Sequence, residues 1–191
     1  RRDFLRAWVA GGTALACSGP LLWAAEAAAG DEARTDVWVF HGTDKQKLMA
    51  ACLEVIQQQG GFGKNVRTLA LKVNAAWARK PEVGANTHPD LVDAFLAGVK
   101  EAGVPKVVVP EHPCHRAAQT FTRSGIQAAV EKHGFSMTDL KSQRTFQATD
   151  LPKARNLKQA KVATPFLEAD AVVNIPVAKH HGGATLTMSM K

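Results

Sequence analysis

The sequence predicts an α/β domain with an open, mostly parallel sheet and crossover helices on both of its faces. Short apolar runs alternate with amphipathic stretches along the chain, as expected for strands and the helices that connect them. The runs are continuously apolar, which is typical of strands covered on both faces. The chain has 191 residues, 46% hydrophobic and 21% charged, which suits one domain with a proper core and excludes wholesale disorder.

The predicted strands are these apolar runs, taken in chain order. They are VWVF at 37–40, TLALKV at 68–73, KVVV at 106–109 and AVVNIPV at 171–177, with weaker ones near FSM (135–137) and KVA (161–163). The polar stretch 139–160 gives no signal that assigns it to an element.

Boundary residues predict the helices between the strands. Thr43 or Asp44 is expected to cap a helix over 45–59, before two glycines. Thr87 is expected to cap a second helix that has Pro89 in its first turn, an apolar stripe along one face and Gly103 at its end. A short helix is expected from Thr164 through Asp170.

The first 29 residues predict an export signal rather than part of the fold. Arg1 and Arg2 open RRDFLR, which resembles a twin-arginine pattern, and a weakly apolar stretch and small residues follow. The twin-arginine translocase is then a partner and the periplasm the destination, with the α/β domain at 30–191. Two alternatives stay open, in which Cys17 is lipidated or the signal remains uncut; the membrane is contacted only through such a signal or anchor.

The positive charge of the chain does not indicate a nucleic-acid partner. The formal net charge is +7, and basic residues crowd 153–161. No aromatic residue is interleaved there for base stacking, and an exported protein rarely meets nucleic acid. We therefore expect no nucleic-acid binding.

Polar clusters follow the predicted strands directly. They are His41 to Asp44, Lys72 to Asn74, Glu111 to His115, and Lys179 to Gly183. Because the carboxyl ends of parallel strands meet at one edge, where ligands bind in open sheets, all four clusters are expected to converge. The first has an ordinary explanation, since Thr43 and Asp44 are common helix caps.

Lys72 and Asn74 share one face of their strand. A lysine inside LALKVN is costly to bury unless it meets an anionic ligand or an acidic partner, and the sequence leaves both open. Both residues are candidate ligand-binding residues.

The EHPCHR segment (111–116) concentrates metal-binding and nucleophilic groups. His112, Cys114 and His115, with His181 from the last cluster, are a candidate ligand set for a transition metal. Their spacing is not a standard zinc signature, so a solvated loop is an equal alternative. The second mature cysteine, Cys52, lies at helical spacing among apolar residues and is expected in the core.

In the last cluster, Lys179, His181 and Gly182 are candidate ligand-binding residues. Glycines let the backbone approach a ligand closely, and lysine or imidazole groups can hold an anion or a metal. A surface turn with incidental histidines is the alternative.

Several segments together resemble one family, the domain of unknown function 362. The resemblance is carried by GGFGKNVRTLALKVNAAW, NTHPDLVDAFL, RSGI and EADAVVNIPVAKHHGGATLTMSMK. It implies that the lysine and histidine of the family motif fall on Lys179 and His181, and a second lysine on Lys191. Since an asparagine would follow, it also implies that the domain continues beyond Lys191. Where relatives place an aspartate after the third strand, this chain has Glu111.

The same resemblance implies a redox setting, since the family is often found beside iron–sulfur ferredoxin modules. The chain has no Cys-x-x-Cys-x-x-Cys run, so a cluster is expected on a ferredoxin-type partner or a further module. Three functions stay open: a metal- or anion-binding domain serving redox chemistry, a metal-dependent enzyme acting on a small substrate, or a non-catalytic protein that binds an anion or a partner.

Overall fold

The computed structural model describes residues 23–25, 37–63 and 65–189, the first range by its backbone only. The helices are α1 (Lys45–Gln58), α2 (Pro89–Glu101), α3 (Ala117–Arg123), α4 (Ile126–Lys132) and α5 (Thr164–Leu167), with two 3-10 turns at Pro81–Val83 and Gln143–Thr145. The strands are β1 (Trp23–Ala25), β2 (Val37–Val39), β3 (Thr68–Val73), β4 (Lys106–Glu111), β5 (Ser136–Asp139), β6 (Phe146–Asp150), β7 (Gln159–Ala163), β8 (Ala171–Ile175), β9 (Lys179–His181) and β10 (Thr185–Thr187).

A four-stranded parallel sheet in the order β5-β4-β3-β8 forms the centre of the domain. Helices flank it, so the predicted α/β class is confirmed. The strand at 68–73 is found with the predicted bounds, the one at 106 runs two residues further to Glu111, and the one at 171 ends at Ile175 before Pro176. Proline has no N–H to donate to a ladder, which is why this strand stops there.

The core lies between the sheet and two of its helices. Leu69, Leu71 and Val73 alternate on one face of β3 and are fully buried. The side chains packed with them from the helices are Val92, Phe95, Leu96 and Val99 of α2 and Ile126, Ala129 and Val130 of α4. The apolar stripe predicted for the second helix is therefore its core face.

Gly98 marks the close approach of α1 to α2. A Cβ atom built at this position would overlap Leu53 Cδ1 of α1. Glycine inside a helix costs about 1 kcal/mol relative to alanine. Here the missing side chain lets the two helices pack closely.

The predicted strand at 37–40 is not part of the parallel sheet, contrary to the expectation. Val37–Val39 pairs antiparallel with Trp23–Ala25. Val37 and Val39 are each 55% exposed, so this apolar run is not buried on both faces as a central strand would be. The cluster from His41 to Asp44 therefore follows a strand that is not part of the parallel sheet. Asp44 instead caps α1, accepting hydrogen bonds from the backbone N–H of Gln46 and Lys47.

Three further predictions differ from the structure in detail. His88, rather than Thr87, is the N-cap of α2, and its Nδ1 accepts from the Asp90 N–H. The strand near KVA exists as β7, but it forms an antiparallel pair with β6, which lies in the stretch that the sequence left unassigned. The short helix from Thr164 ends at Leu167.

Most of the predicted export signal lies outside the described residues, including Arg1, Arg2 and Cys17. The signal and the boundary at residue 29 stay predictions. Within the described ranges, none of the helices combines the length and the apolar character that crossing a membrane requires.

Asp93 joins α2 to the end of α4 and gives a prediction on pH dependence. Its carboxylate accepts a hydrogen bond from Lys132 Nζ at 2.8 Å and lies 2.7 Å from His133 Nε2. The hydrogen bond from Lys132, followed by that from His133, lowers the pKa of Asp93 below its ordinary value of 3.8. Because the folded-state pKa is the lower one, the pair stabilises the fold above the ordinary pKa and this stabilisation is lost as the pH falls through the lowered one.

We therefore expect Asp93→Asn to lower the free energy of unfolding at neutral pH by about 1 kcal/mol, since Lys132 is largely exposed. The difference from wild type should shrink as the pH falls below the ordinary carboxyl range. Urea unfolding of both proteins over acidic to neutral pH measures it. A difference that is independent of pH would show that the charge of Asp93 is not involved.

Candidate functional site

Lys72 and Glu111 form an ion pair at the carboxyl ends of two neighbouring strands. Lys72 Nζ lies 2.9 Å from Glu111 Oε2, and the glutamate side chain is only 7% exposed. Glu111 also accepts hydrogen bonds from the backbone N–H of Ala75 (2.9 Å) and of His112 (2.8 Å). The sequence left two partners open for Lys72, an anionic ligand or an acidic side chain, and the structure supplies the acidic side chain.

A second group of hydrogen bonds connects chain segments at the same edge, through Asn74, Thr87 and Lys179. Lys179 follows β8 and reaches across to β3, where its ammonium donates to Asn74 Oδ1 at 3.0 Å and also to the Ala85 carbonyl. The Thr87 hydroxyl accepts from the Asn74 N–H at 2.8 Å and donates to the Ile175 carbonyl at 2.7 Å. The carboxyl ends of β3 and β8 are thus tied to the segment that precedes α2.

We call these five residues, Lys72, Asn74, Thr87, Glu111 and Lys179, the carboxyl-edge network. They come from the ends of β3 and β4, the start of α2 and the chain after β8, and the structure brings them together at the edge where open parallel sheets bind ligands. Chemically, the network offers a fixed ammonium group, an amide and an ion pair whose charges compensate each other.

The last predicted cluster forms the β9–β10 hairpin. His181 Nδ1 accepts from the backbone N–H of Gly183 (3.1 Å) and Ala184 (3.0 Å), so this ring closes the turn that contains Gly182. Thr187, which is 3% exposed, donates its hydroxyl to the Val177 carbonyl and holds the hairpin against the end of β8. These contacts match the surface-turn alternative, while Lys179 from the same cluster joins the network.

The loop after β4 places His112, Cys114 and His115 in exposed positions. His115 Nδ1 accepts from the Ala78 N–H at 3.2 Å, and its ring meets Trp77 edge-to-face at 5.3 Å. The Cys114 N–H donates to the Ala76 carbonyl at 2.9 Å. These contacts hold the loop after β4 against the loop after β3.

Two of the four predicted metal ligands, His115 and His181, accept backbone hydrogen bonds through a ring nitrogen. His115 and His181 both accept backbone hydrogen bonds at Nδ1, which leaves the ring proton of a neutral imidazole on Nε2. A nitrogen that carries its proton has no lone pair to give to a metal. In the part of the chain that the structure describes, no group of three or more histidine, cysteine, aspartate or glutamate side chains is placed to hold a metal ion. The metal set of His112, Cys114, His115 and His181 therefore stays a prediction without geometric support.

The sequence reasoning missed Thr87 and Thr187 as members of this edge, and it placed Glu111 there without identifying it as the partner of Lys72. A lysine one residue before the end of a largely buried strand calls for an acid on the neighbouring strand, which is the signal that could have found the pair. Thr87 was taken for a helix cap, since threonine before proline is a usual cap pattern. Nothing in the sequence indicated that its hydroxyl would bridge two strands.

Comparison with known proteins places these residues in a family. Residues 69–191 match the family described as Domain of unknown function (DUF362). The chain belongs to this family. The DUF362 match begins at the second residue of β3, so it contains the whole carboxyl-edge network and the four strands of the parallel sheet, apart from Thr68. Lys191, predicted to be the second lysine of the family motif, lies outside the described residues.

A curated relative is a thylakoid-associated protein of Synechocystis sp., 27% identical over 148 residues, which cover 75% of this chain and 44% of the relative. The chain thus spans less than half the length of the protein it matches. No solved structure matches the chain significantly.

Proposed function

We propose that this DUF362 chain binds a small anionic ligand at the carboxyl edge of its sheet, beside Lys179 and Asn74. The observation that carries the proposal is the placement of the Lys179 ammonium. The Lys179 side chain extends from the start of β9 to the end of β3. There its ammonium group donates hydrogen bonds to Asn74 Oδ1 and to the Ala85 carbonyl. A positioned cation at the ligand-binding edge of an open parallel sheet is suited to a carboxylate or phosphate group.

Lys72 has a different part in this proposal. Its charge is compensated by Glu111, which in turn binds two backbone N–H groups. The pair therefore fixes the loop after β3 and the loop after β4, between which a ligand would lie. Lys179 and Asn74 are the residues that meet the ligand, and Lys72 and Glu111 position the loops around it.

Titration of the full chain with small carboxylate and phosphate anions tests the proposal. We expect Lys179→Gln to weaken the binding of the responding anion about ten- to a hundredfold, because a charge-assisted hydrogen bond contributes about 1.5–3 kcal/mol. Binding should also weaken steeply with added salt. Isothermal titration calorimetry measures both effects.

Lys100→Gln is the matched control, since it removes the same charge from an exposed position on the last turn of α2. Equal affinities in wild type and in Lys179→Gln would overturn the proposal.

Elemental analysis separates anion binding from the metal alternative. The protein isolated from its native host is compared with a variant carrying alanine at His112, Cys114, His115 and His181. Anion binding at Lys179 predicts no stoichiometric metal in either protein. Stoichiometric metal that disappears in the variant would replace the proposal with a metal centre, and with it either redox chemistry or metal-dependent turnover of a substrate.

We further propose that the domain is exported by the twin-arginine translocase and works in the periplasm beside a ferredoxin-type iron–sulfur partner. The RRDFLR opening supports export. The family resemblance supports the partner, and the relative's association with the thylakoid favours a place of action near a membrane. Fractionation of cells that produce wild type or a variant with both Arg1 and Arg2 changed to lysine tests the route. Wild type in the periplasm and the variant in the cytoplasm is the expected result.

A further inference from the structure

A concavity between the loop after β3, the loop after β4 and α3 has three arginines in its lining. It measures about 410 Å³, and its lining residues are Ala78, Arg79, His115, Arg116, Gln119 and Arg123. We call it the arginine basin. Its described lining contains three guanidinium groups and no carboxylate. A second groove, between α1 and α2, differs in this respect, since Glu54, Asp93 and Glu101 contribute to its walls.

The arginines of the basin have no internal partner in the part of the chain that the structure describes. None of Arg79, Arg116 and Arg123 donates a side-chain hydrogen bond or forms an ion pair there. Single exposed arginines are ordinary on a protein surface. Three around one concavity repel each other unless an anion lies between them, so the arrangement gains from a ligand that carries more than one negative charge.

Helical spacing explains why these side chains meet. Arg116 is the N-cap of α3, and Gln119 and Arg123 follow it at three and seven residues, so all three lie on one face. Arg79 approaches from the loop after β3. The basin is thus formed between one helix face and one loop.

The loop side of the basin is held in place before any ligand arrives. Asn86 accepts from the Trp77 N–H at 3.1 Å and donates to the Trp77 carbonyl at 2.8 Å, and the Ala78 N–H donates to His115 Nδ1. Because Nδ1 is the acceptor, the His115 ring presents an N–H at Nε2, which is a donor for an anion. Lys141 Nζ, 2.6 Å from the His115 carbonyl, adds a further cation nearby. Preformed donors lower the cost of ordering the site on binding.

We propose that the arginine basin is a second anion site, which takes a doubly charged tetrahedral oxyanion: phosphate or the phosphate group of a small monoester. Planar guanidinium groups bind two oxygens of such an anion at once, which an ammonium cannot do. The volume is within the range of small-molecule sites. This inference goes beyond the ligand proposed for Lys179, because it uses none of the network residues.

The test is calorimetric titration of the full chain carrying Lys179→Gln, so that the site at Lys179 does not contribute, with inorganic phosphate, with glycerol 3-phosphate and with acetate. We expect both phosphate compounds to bind and acetate to bind far more weakly. Arg116→Gln and Arg123→Gln should each weaken phosphate binding about tenfold. Arg116→Lys, which keeps the charge but loses the planar fork, should give an intermediate loss.

Arg155→Gln is the control, an exposed arginine in the loop between β6 and β7. Lys179→Gln distinguishes the two proposals, since it should leave phosphate binding at the basin unchanged. Tighter binding of the monoester than of phosphate assigns the site to a phosphorylated metabolite, and equal binding assigns it to phosphate itself. The inference is overturned if acetate binds as well as phosphate, or if the basin variants lose no more affinity than Arg155→Gln.

Discussion

Glu111→Ala is expected to lower the free energy of unfolding by about 3–5 kcal/mol, because it leaves Lys72 without its counter-charge and two backbone donors without an acceptor. The Ala75 N–H is buried, so water does not replace the lost carboxylate there. Urea unfolding should show a lower midpoint with an unchanged slope.

Three further variants separate the contributions to this loss. Glu111→Gln keeps an acceptor oxygen and should cost less than alanine. Adding Lys72→Met to Glu111→Ala removes the unpaired ammonium and should recover part of the stability, which gives the coupling of the pair. Glu82→Ala, at an exposed position, should change stability by no more than about 0.5 kcal/mol. If Glu111→Ala cost less than about 1 kcal/mol, the pair would be equivalent to a surface ion pair.

Thr87→Val is expected to be the second most costly change, at about 2–4 kcal/mol, although the two side chains have nearly the same shape. Thr87 is 2% exposed, and its hydroxyl serves the Asn74 N–H and the Ile175 carbonyl at once. Valine leaves a partly buried donor and a partly buried acceptor without partners. Chemical unfolding measures the loss, and anion titration of the same protein shows whether the Asn74 to Lys179 contact survives.

Thr87→Ser is the informative comparison for this position. It keeps the hydroxyl and removes one methyl group, so it should cost about 1 kcal/mol. A serine variant less stable than the valine variant would show that the methyl group, and not the hydrogen bonds, stabilises this position.

The parallel sheet could be predicted because its two central strands, β3 and β4, are largely buried on both faces. The run TLALKV does not alternate regularly between apolar and polar residues. This pattern is expected for a strand that is covered on both faces, and the strand does lie in the middle of the sheet. The run VWVF has the same composition, yet Val37 and Val39 are largely exposed. A four-residue apolar run does not reveal whether another strand covers it, which is why its partner could not be predicted.

The candidate site was predictable in its location but not in its contacts. Strand ends with unusual side chains indicated the edge, and Lys72, Asn74 and Lys179 do lie there. Pairings across 39 residues, as for Lys72 with Glu111, or 105 residues, as for Lys179 with Asn74, depend on strand order. Likewise, the metal site was predicted from residue type alone. Which ring nitrogen of each histidine accepts a backbone N–H determines which nitrogen remains for a ligand, and the sequence does not show this.

The pairing of β8 with β3 has a consequence for how the site opens. The two strands are about a hundred residues apart in the chain, and Asp170 fastens their start by accepting from the N–H groups of Arg67 and Thr68. The contacts of Ile175 with Thr87 and of Lys179 with Asn74 form only when β8 is paired with β3. Local unfolding of β8 therefore also removes the proposed ligand site. An anion that binds only the docked form raises the free energy of that opening by mass action. Slower amide hydrogen exchange along β8 would then report ligand binding.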